Sequence, residues 1–208
     1  MPHLVKERGS LVAKRDFDML PRIREVEVRT AQRSGLAAIA DMGNRMVPGV
    51  HIAEADLERY YAFDPDSILT FRRQGKLLQG AVAFIYLNLR GLEALLRAEL
   101  TLTQPDFSLL AGPNEDASAI YVWAIAGQGR AMAGLGNVSE HLCKRRLAGG
   151  DLYAQPSSED GRNLMIAIGF EPIESSQREL WRYQRPWNRT SSNTRTGTPA
   201  RSFANARH

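Results

Sequence analysis

The chain has 208 residues, a net charge of +4, 43% hydrophobic residues and 24% charged residues. This length predicts one compact domain, and the balance of apolar and charged residues excludes a wholly disordered chain. The longest apolar run, residues 80–87, is far shorter than the ~20 residues that span a bilayer, and residues 1–10 are charged where a signal peptide would be apolar. Since Cys143 is the only cysteine, no intrachain disulfide forms. We therefore expect a cytoplasmic protein that does not contact a membrane.

Three elements are predicted in the first third of the chain. Residues 23–30 alternate between apolar and charged side chains, which is the period of a half-buried strand. Apolar residues spaced three and four apart predict one helix from Leu36 and a second helix after Asp56. The sequence Asp64-Pro65-Asp66 then interrupts the helical pattern.

A hairpin and a third helix follow. Residues 68–73 and 80–88 are typical of strands, and they flank Gln74-Gly75-Lys76, whose glycine suits a hairpin turn. The second of these strands is apolar on both faces, which predicts a central position in a sheet. Leucines at helical spacing predict an amphipathic helix over residues 89–100.

The second half of the chain contains a strand, a glycine-rich turn and a helix. Residues 119–125 form the clearest strand pattern, and a turn of Gly127-Gln128-Gly129-Arg130-Ala131 follows. Ala131, Leu135, Val138 and Leu142 then mark one face of a helix that is predicted to end near Gly149-Gly150. Such a turn presents backbone N–H groups to a phosphate, or it only reverses the chain. The sequence lacks the Gly-Lys-Ser/Thr of a Walker loop, and Met132 stands where a dinucleotide-binding turn needs a small residue.

The last predicted elements are a strand over residues 151–155, a helix and two short strands. Ser157 and Asp160 are spaced as a capping box, and the helix presents an apolar face of Gly161, Leu164, Met165 and Ile168. Gly169 is predicted to end this helix in a left-handed conformation. Residues 170–173 and 179–183 are the closing strands.

The C-terminal end carries the excess positive charge. Residues 185–208 contain five arginines and no acidic residue, and they are rich in Ser, Thr, Asn, Gly and Pro. Because they lack apolar periodicity, we predict a single domain over residues 1–184 followed by a basic disordered tail over residues 185–208. The tail is either a solubilising extension or the one segment that would bind nucleic acid or an acidic partner.

The order of these elements resembles the C-terminal half of the GCN5-related N-acetyltransferases over residues 68–184. The resemblance is carried by the hairpin, the Gly-x-Gly-x-Ala turn and the sequence Ala167-Ile168-Gly169-Phe170-Glu171-Pro172. It implies an α/β (α+β) fold with a mixed, mostly antiparallel sheet flanked by helices. It also implies an N-acyltransferase that uses acetyl-CoA or another acyl-CoA as co-substrate and a small-molecule or protein amine as acceptor. A dimer is compatible with this interpretation.

The resemblance implies which residues contact the co-substrate. In the family the glycine turn holds the pyrophosphate and the following helices enclose the pantetheine arm. The resemblance assigns these contacts to Ile125, Gly127, Gln128, Gly129, Arg130, Ala131 and Ser158. Three positions depart from the family pattern: Ala126 replaces the usual Arg or Gln, Ser158 replaces the Asn that often begins the helix, and Met165 replaces the Tyr that often protonates the departing thiolate.

Three residues are catalytic candidates. Glu115 and Asp116 precede the central strand, where related enzymes often place a general base, although acids in such a loop are commonly only solvated. Tyr153 is the substitute acid. Because Met165 has no titratable proton, the alternative function is that of a catalytically weak or inactive module, either acyl-CoA-binding or regulatory.

Other residues of the central segment are assigned to the core or to the cleft. Tyr121 and Trp123 line an acyl cleft or belong to the core. His141 and Cys143 have no partners at ligand spacing, so no metal site is predicted, and Cys143 is interpreted as a buried core residue.

Overall fold

A computed structural model describes residues 16–47, 49, 51–73, 78–103, 106–127 and 129–188. Within these residues the chain forms seven strands: β1 (Val26–Thr30), β2 (Ile68–Arg73), β3 (Leu78–Leu87), β4 (Ala119–Gly127), β5 (Asp151–Ala154), β6 (Glu171–Pro172) and β7 (Trp181–Tyr183). The α-helices of the same residues are α1 (Leu36–Met46), α2 (Glu54–Phe63), α3 (Leu89–Leu96), α4 (Leu135–Leu142), α5 (Arg145–Ala148) and α6 (Glu159–Ala167).

The strands form one sheet in the order β1-β2-β3-β4-β5-β7-β6. Neighbouring strands are antiparallel except β4 and β5, which run parallel. This mixed, mostly antiparallel sheet with flanking helices confirms the predicted fold class. The predicted central position of β3 is also confirmed, because its last eight residues are all buried.

The two faces of the sheet pack against different helices. Ile120 and Val122 of β4 belong to the larger core, to which α4 and α6 contribute Val138 and Met165. Tyr121 lies on the opposite face, in a cluster that includes Tyr60 of α2. Side chains of a strand alternate between faces, so β4 divides its residues between the two cores.

A bulge in β4 changes this alternation. Ala83 of β3 lies opposite Ala124, but Phe84 lies opposite Val122, so Trp123 has no partner residue in β3. As a result Trp123 and Ala124 both pack on the α1 side of the sheet. A bulge bends a strand and increases its twist. The pairing of β4 with β5 ends at Val122, so β4 leaves β5 at the bulge.

The helix after the glycine turn begins later than predicted. A start at Ala131 is wrong: residues Gly129–Gly134 form a 3-10 helix, and α4 begins only at Leu135. Close packing explains the glycines at positions 134 and 136. A Cβ on Gly134 would lie 2.8 Å from Cγ1 of Val26, and a Cβ on Gly136 would lie 2.2 Å from the carbonyl oxygen of Pro21.

The predicted boundary of the tail at residue 185 is wrong. The side chain of Arg185 is 0% exposed, and its Nη1 lies 2.6 Å from Oδ1 of Asp18. Its Nη2 donates to the carbonyl oxygen of Leu142 at 3.1 Å, and Asn188 Nδ2 donates to the carbonyl oxygen of Gly149 at 3.0 Å. Residues up to 188 therefore pack on the domain, and the remainder of the predicted tail lies outside the described residues.

Gly169 has a φ of +91°, which confirms the left-handed end of α6. The capping residue of α6 is Ser158 and not Ser157, and Cys143 is exposed and not a core residue. The predicted turn at residues 74–76 lies outside the described residues. Of the helices in the described part of the chain, none has the length and apolar character needed to cross a bilayer.

Candidate functional site

A cleft of about 620 Å³ opens where β4 and β5 diverge. Side chains from the α4 and α6 face of the sheet line it together with side chains from the α1 face, so the cleft passes through the sheet. The first group includes Val82, Phe84, Val122, Leu135, Met165 and Phe170, and the second includes Met46, Val47 and Trp123. The edge of β4 that faces this gap has no strand partner in residues 123–127, so some of its backbone polar groups are free to bind a ligand.

Polar side chains of the cleft gather at the end of β5 and the start of α6. They are Gln155, Ser157, Ser158 and Asp160. Ser158 Oγ accepts a hydrogen bond from the N–H of Gly161 at 3.1 Å and so caps α6. Asp160 is exposed and is the one ionisable side chain among the described residues that line the cleft.

Gln155 is held in place by two hydrogen bonds. The hydroxyl of Tyr121 donates to Oε1 of Gln155 at 2.9 Å, and Nε2 of Gln155 donates to the carbonyl oxygen of Arg178 at 2.7 Å. Burial raises the pKa of Tyr121 to about 12, so this phenol stays protonated and remains a donor at neutral pH.

The glycine turn lies at one end of the cleft. Ile125 and Gly127 line the cleft, and a Cβ on Gly127 would lie 2.6 Å from the sulfur of Met132. Gly129 is exposed with a φ of +52° and nothing within 4 Å of a Cβ at its position. The first N–H groups of a helical segment have no partner within it, which suits them to bind an anion.

The remaining turn residues of the prediction are only partly described. Arg130 and Ala131 belong to the 3-10 helix that follows Gly129, and Gln128 lies outside the described residues. Ser158, the last of the predicted contact residues, lines the cleft at its polar end.

Tyr153 does not lie in the cleft. Leu152 and Ala154 of β5 line it, but Tyr153 points to the opposite face of the sheet and packs in the cluster of Tyr121 and Leu180. It is 5% exposed, and burial raises the pKa of its phenol. The strand period explains the difference, because neighbouring residues of β5 face opposite sides. The structure therefore does not bring Tyr153 to the position of a thiolate in the cleft.

Glu115 and Asp116 also lie away from the cleft. Oε2 of Glu115 accepts a hydrogen bond from the N–H of Gly112 at 2.9 Å, which closes the loop before β4. Asp116 lies beside a separate surface hollow that Arg145 and Arg146 also line. Both acids precede the start of β4, whereas the cleft lies along its second half. This geometry agrees with the interpretation of Glu115 and Asp116 as solvated acids of a loop.

The predicted apolar face of α6 lies in the cleft. Gly161, Leu164, Met165 and Ile168 all line it, which confirms the helical register derived from their spacing. Met165 is buried in the larger core as well as lining the cleft. In the described part of the chain, no three His, Cys, Asp or Glu side chains are arranged to hold a metal ion.

Sequence reasoning missed Phe17, which lines the cleft from the segment before β1. No periodic pattern marks this segment. Its position depends on the contact of Pro21 with Gly136 and on the pairing of Asp18 with Arg185. The one local signal is the glycine inside α4, where helix propensity disfavours glycine.

No family model and no curated protein matches the sequence. Several solved structures match the chain. Naa20 from Chaetomium thermophilum, in complex with a bisubstrate analogue, is 11% identical with a TM-score of 0.52, over 79% of this chain and 89% of that one. The GphF GNAT-like decarboxylase, in complex with isobutyryl-CoA, is 18% identical with a TM-score of 0.41, over 62% of this chain. A GCN5-related N-acetyltransferase from Sphaerobacter thermophilus is 12% identical with a TM-score of 0.47, over 74% of this chain. The chain spans 64% and 45% of the length of the latter two.

Proposed function

The chain has the fold of the GCN5-related N-acetyltransferases, and we propose that it is an acyl-CoA-dependent N-acyltransferase. The observation that carries the proposal is the cleft of about 620 Å³ that passes through the sheet between β4 and β5. The glycine turn lies at one end of this cleft, and Trp123 with the end of α1 lies on the other face. This arrangement suits a two-substrate reaction, because donor and acceptor can approach one point from opposite sides of the sheet.

The glycine turn supplies the anion site of the proposal. Backbone N–H groups of Gly127, Gly129, Arg130 and Ala131 bind the pyrophosphate of acetyl-CoA or another acyl-CoA, without the need for a particular side chain. The free edge of β4 then pairs with the amides of the pantetheine arm as a neighbouring strand would. Ser158 and Gln155 offer oxygen and nitrogen atoms at the polar end of the same cleft.

The reaction transfers the acyl group to an amine. The neutral amine nitrogen attacks the thioester carbonyl, a C–N bond forms, the C–S bond breaks and CoA leaves as a thiolate. A free N–H of β4 near the bulge polarises the carbonyl oxygen. The proposal assigns no proton transfer to Tyr153, Glu115 or Asp116. Water at the exposed polar end takes the proton of the amine and protonates the thiolate.

The acceptor is a small-molecule or protein amine that enters from the α1 side. Met46 and Val47 line the cleft there, and Trp123 packs against Tyr60 with ring centroids 5.2 Å apart. An apolar and aromatic entrance favours an amine with an apolar body over a highly charged one.

Substitution of Gly129 tests the anion site. Gly129→Glu places a negative charge where the pyrophosphate binds, and we expect CoA affinity to fall by about 100-fold. Gly129→Ala is the matched control, because it shares the strain of a positive φ without adding charge or bulk. Calorimetric titration with CoA measures both variants. A folded Gly129→Glu variant that binds CoA as tightly as Gly129→Ala would show that the turn is not the anion site.

A second candidate is an acyl-CoA-binding or regulatory module without turnover. Met165 and the scarcity of ionisable side chains in the described lining of the cleft favour it. A thiol-release assay with acetyl-CoA and a panel of amines separates the two functions. Release that depends on the amine supports the enzyme, and tight CoA binding without release from any amine supports the module.

A further inference from the structure

We infer that the side-chain amide of Gln155 binds the acceptor amine and orients it for attack on the thioester. The inference rests on the proposed function, because it names a residue that acts on the second substrate of the same reaction. Gln155 is partly exposed and lines the cleft, whereas the catalytic candidates Tyr153, Glu115 and Asp116 lie away from it.

Gln155 lies across the gap from the bulge of β4. The pairing of β4 with β5 ends at Val122 and Ala154, so the next residues of the two segments, Trp123 and Gln155, flank the gap where it opens. The proposed function places the thioester carbonyl at a free N–H of β4 near this bulge. The side chain of Gln155 therefore borders the point at which the amine attacks.

The amide lies on the side of the sheet from which the acceptor enters. Tyr121 and Tyr153 pack in one cluster on this side, and Trp123 joins that cluster to the cluster of α1. Since the hydroxyl of Tyr121 donates to Oε1 of Gln155, the Gln155 side chain is on the same side. An acceptor that passes Trp123 toward the gap therefore reaches the amide.

Two hydrogen bonds fix the orientation of the amide and leave half of its bonding capacity for a ligand. The carbonyl oxygen of Arg178 only accepts, so Nε2 of Gln155 must face it, and Oε1 then faces Tyr121. Oε1 has a second lone pair and Nε2 has a second hydrogen, and no other described residue bonds to either atom. The amide is therefore held in one orientation with one acceptor and one donor position open.

A neutral amide suits an amine that must attack in its uncharged form. Oε1 of Gln155 accepts an N–H of the amine and leaves the nitrogen lone pair free to attack the thioester carbonyl. A carboxylate at the same position would stabilise the ammonium form and raise the pKa of the bound acceptor. An ammonium has no lone pair, so Gln155 holds the amine without favouring its unreactive form.

The pH dependence of kcat is the direct test. Thiol release from acetyl-CoA is followed with benzylamine, or with the panel amine that releases thiol fastest, from about pH 7 to about pH 10, where primary amines titrate. Gln155→Glu keeps the size of the side chain and places a carboxylate beside the bound amine. The midpoint of the kcat profile is expected to move up by about one pH unit. Gln177→Glu adds the same charge between β6 and β7, outside the residues that line the cleft, and should leave the midpoint unchanged.

Removal of the amide separates a contact with the acceptor from a structural link. Gln155→Met keeps the length of the side chain without its hydrogen-bonding atoms, and it should raise the KM of the acceptor about 10-fold. The dissociation constant of CoA, measured by calorimetry, should not change. Tyr121→Phe breaks the same link between β4 and Gln155 but keeps the amide, so it should raise the KM less than about threefold. Gln155→Ala serves if Gln155→Met does not fold.

The outcomes separate this inference from the proposed function. The inference is wrong if Gln155→Glu keeps the kcat profile of the unmodified protein, or if Gln177→Glu moves the midpoint equally. It is also wrong if loss of the amide raises the acceptor KM no more than Tyr121→Phe does. In each of these cases amine-dependent thiol release by the unmodified protein leaves the proposed function standing. If the unmodified protein releases no thiol with any amine, the proposed function fails and the inference fails with it.

Discussion

Met165 lines the proposed acyl-CoA cleft, and its thioether cannot supply a proton. The side chain is buried and faces the cleft from the last turn of α6. A thiol has a much lower pKa than an amine, so its thiolate departs without general acid help. The residue therefore points to slow turnover and does not exclude catalysis.

Met165→Tyr tests this interpretation. We expect the variant to raise the rate of amine-dependent thiol release by about 10-fold or more, because a phenol in the cleft protonates the thiolate as it leaves. Met165→Phe adds the same ring without the hydroxyl and should not raise the rate. Equal rates in the two variants would contradict a role of the proton at this position, provided both bind CoA.

The surroundings of His141 lower its pKa, and this makes the stability of the fold depend on pH. Its Nε2 is buried in α4 without a hydrogen-bond partner. Burial, assisted by the charge of Lys144, lowers the pKa of His141 to about 4, although Asp66 opposes the shift. The unfolded chain has the ordinary His pKa of 6.5, so it binds more protons than the folded chain between about pH 6.5 and pH 4.

The free energy of unfolding therefore falls as the pH drops through this window. His141→Gln removes the titration and keeps a polar side chain of similar reach. Urea denaturation at about pH 7 and about pH 4.5 should show a smaller loss of stability in the variant than in the unmodified protein. Parallel losses in the two proteins would mean that His141 titrates normally in the fold.

At the scale of single elements, α4 shows packing that opposes helix propensity. Alanine is favoured over glycine inside a helix by about 1 kcal/mol. Gly136 nevertheless lies against the backbone of Pro21, where a Cβ would approach the carbonyl oxygen to 2.2 Å. Packing therefore predicts that Gly136→Ala lowers the free energy of unfolding, whereas helix propensity predicts that it raises the free energy of unfolding.

Gly136→Ala is expected to lower stability by about 2 kcal/mol, because the segment that carries Phe17 must move away from α4. The control is Gly149→Ala at the end of α5, where φ is −76° and nothing lies within 4 Å of a Cβ. Thermal melts of the two variants measure the difference. A Gly136→Ala variant that is more stable than the unmodified protein would show that propensity outweighs the contact.

At the scale of the whole molecule, an ion pair joins the two ends of the described chain. Asp18 and Arg185 are separated by 167 residues, and their side chains are buried as an ion pair. Burial raises the pKa of Asp18, and the charge of Arg185 opposes that shift. Such a pair adds little net stability, but loss of one partner leaves a buried charge that costs about 3–5 kcal/mol.

Two truncations place the boundary of the domain. A chain that ends at residue 188 should melt at the temperature of the full chain, because the remaining segment has no apolar periodicity with which to pack. A chain that ends at residue 184 loses Arg185 and should melt about 10 °C lower. Equal melting temperatures for the two truncations would contradict the role of Arg185, and a drop in the longer one would show that residues 189–208 pack on the domain.

The order of the elements and their buried faces were predictable from local patterns. The two-residue period of β4 and the spacing of Leu164, Met165 and Ile168 depend on neighbours within a few residues of the chain. Gly169 ends α6 for an equally local reason, since its φ of +91° suits glycine. The glycine turn between β4 and α4 belongs to the same class, because its glycines mark it within a few residues of the chain.

The cleft itself was decided by the tertiary structure. It opens at the second half of β4 because β5 pairs only with residues 119–122, and no pattern within either strand sets that limit. Because the cleft lies at the second half of β4, Glu115 and Asp116, which precede β4, lie at the opposite end of the strand from it. Phe17 and Arg185 take their positions from partners more than a hundred residues away in the chain. Contacts at that separation depend on how the whole chain folds back on itself, so composition and periodicity do not contain them.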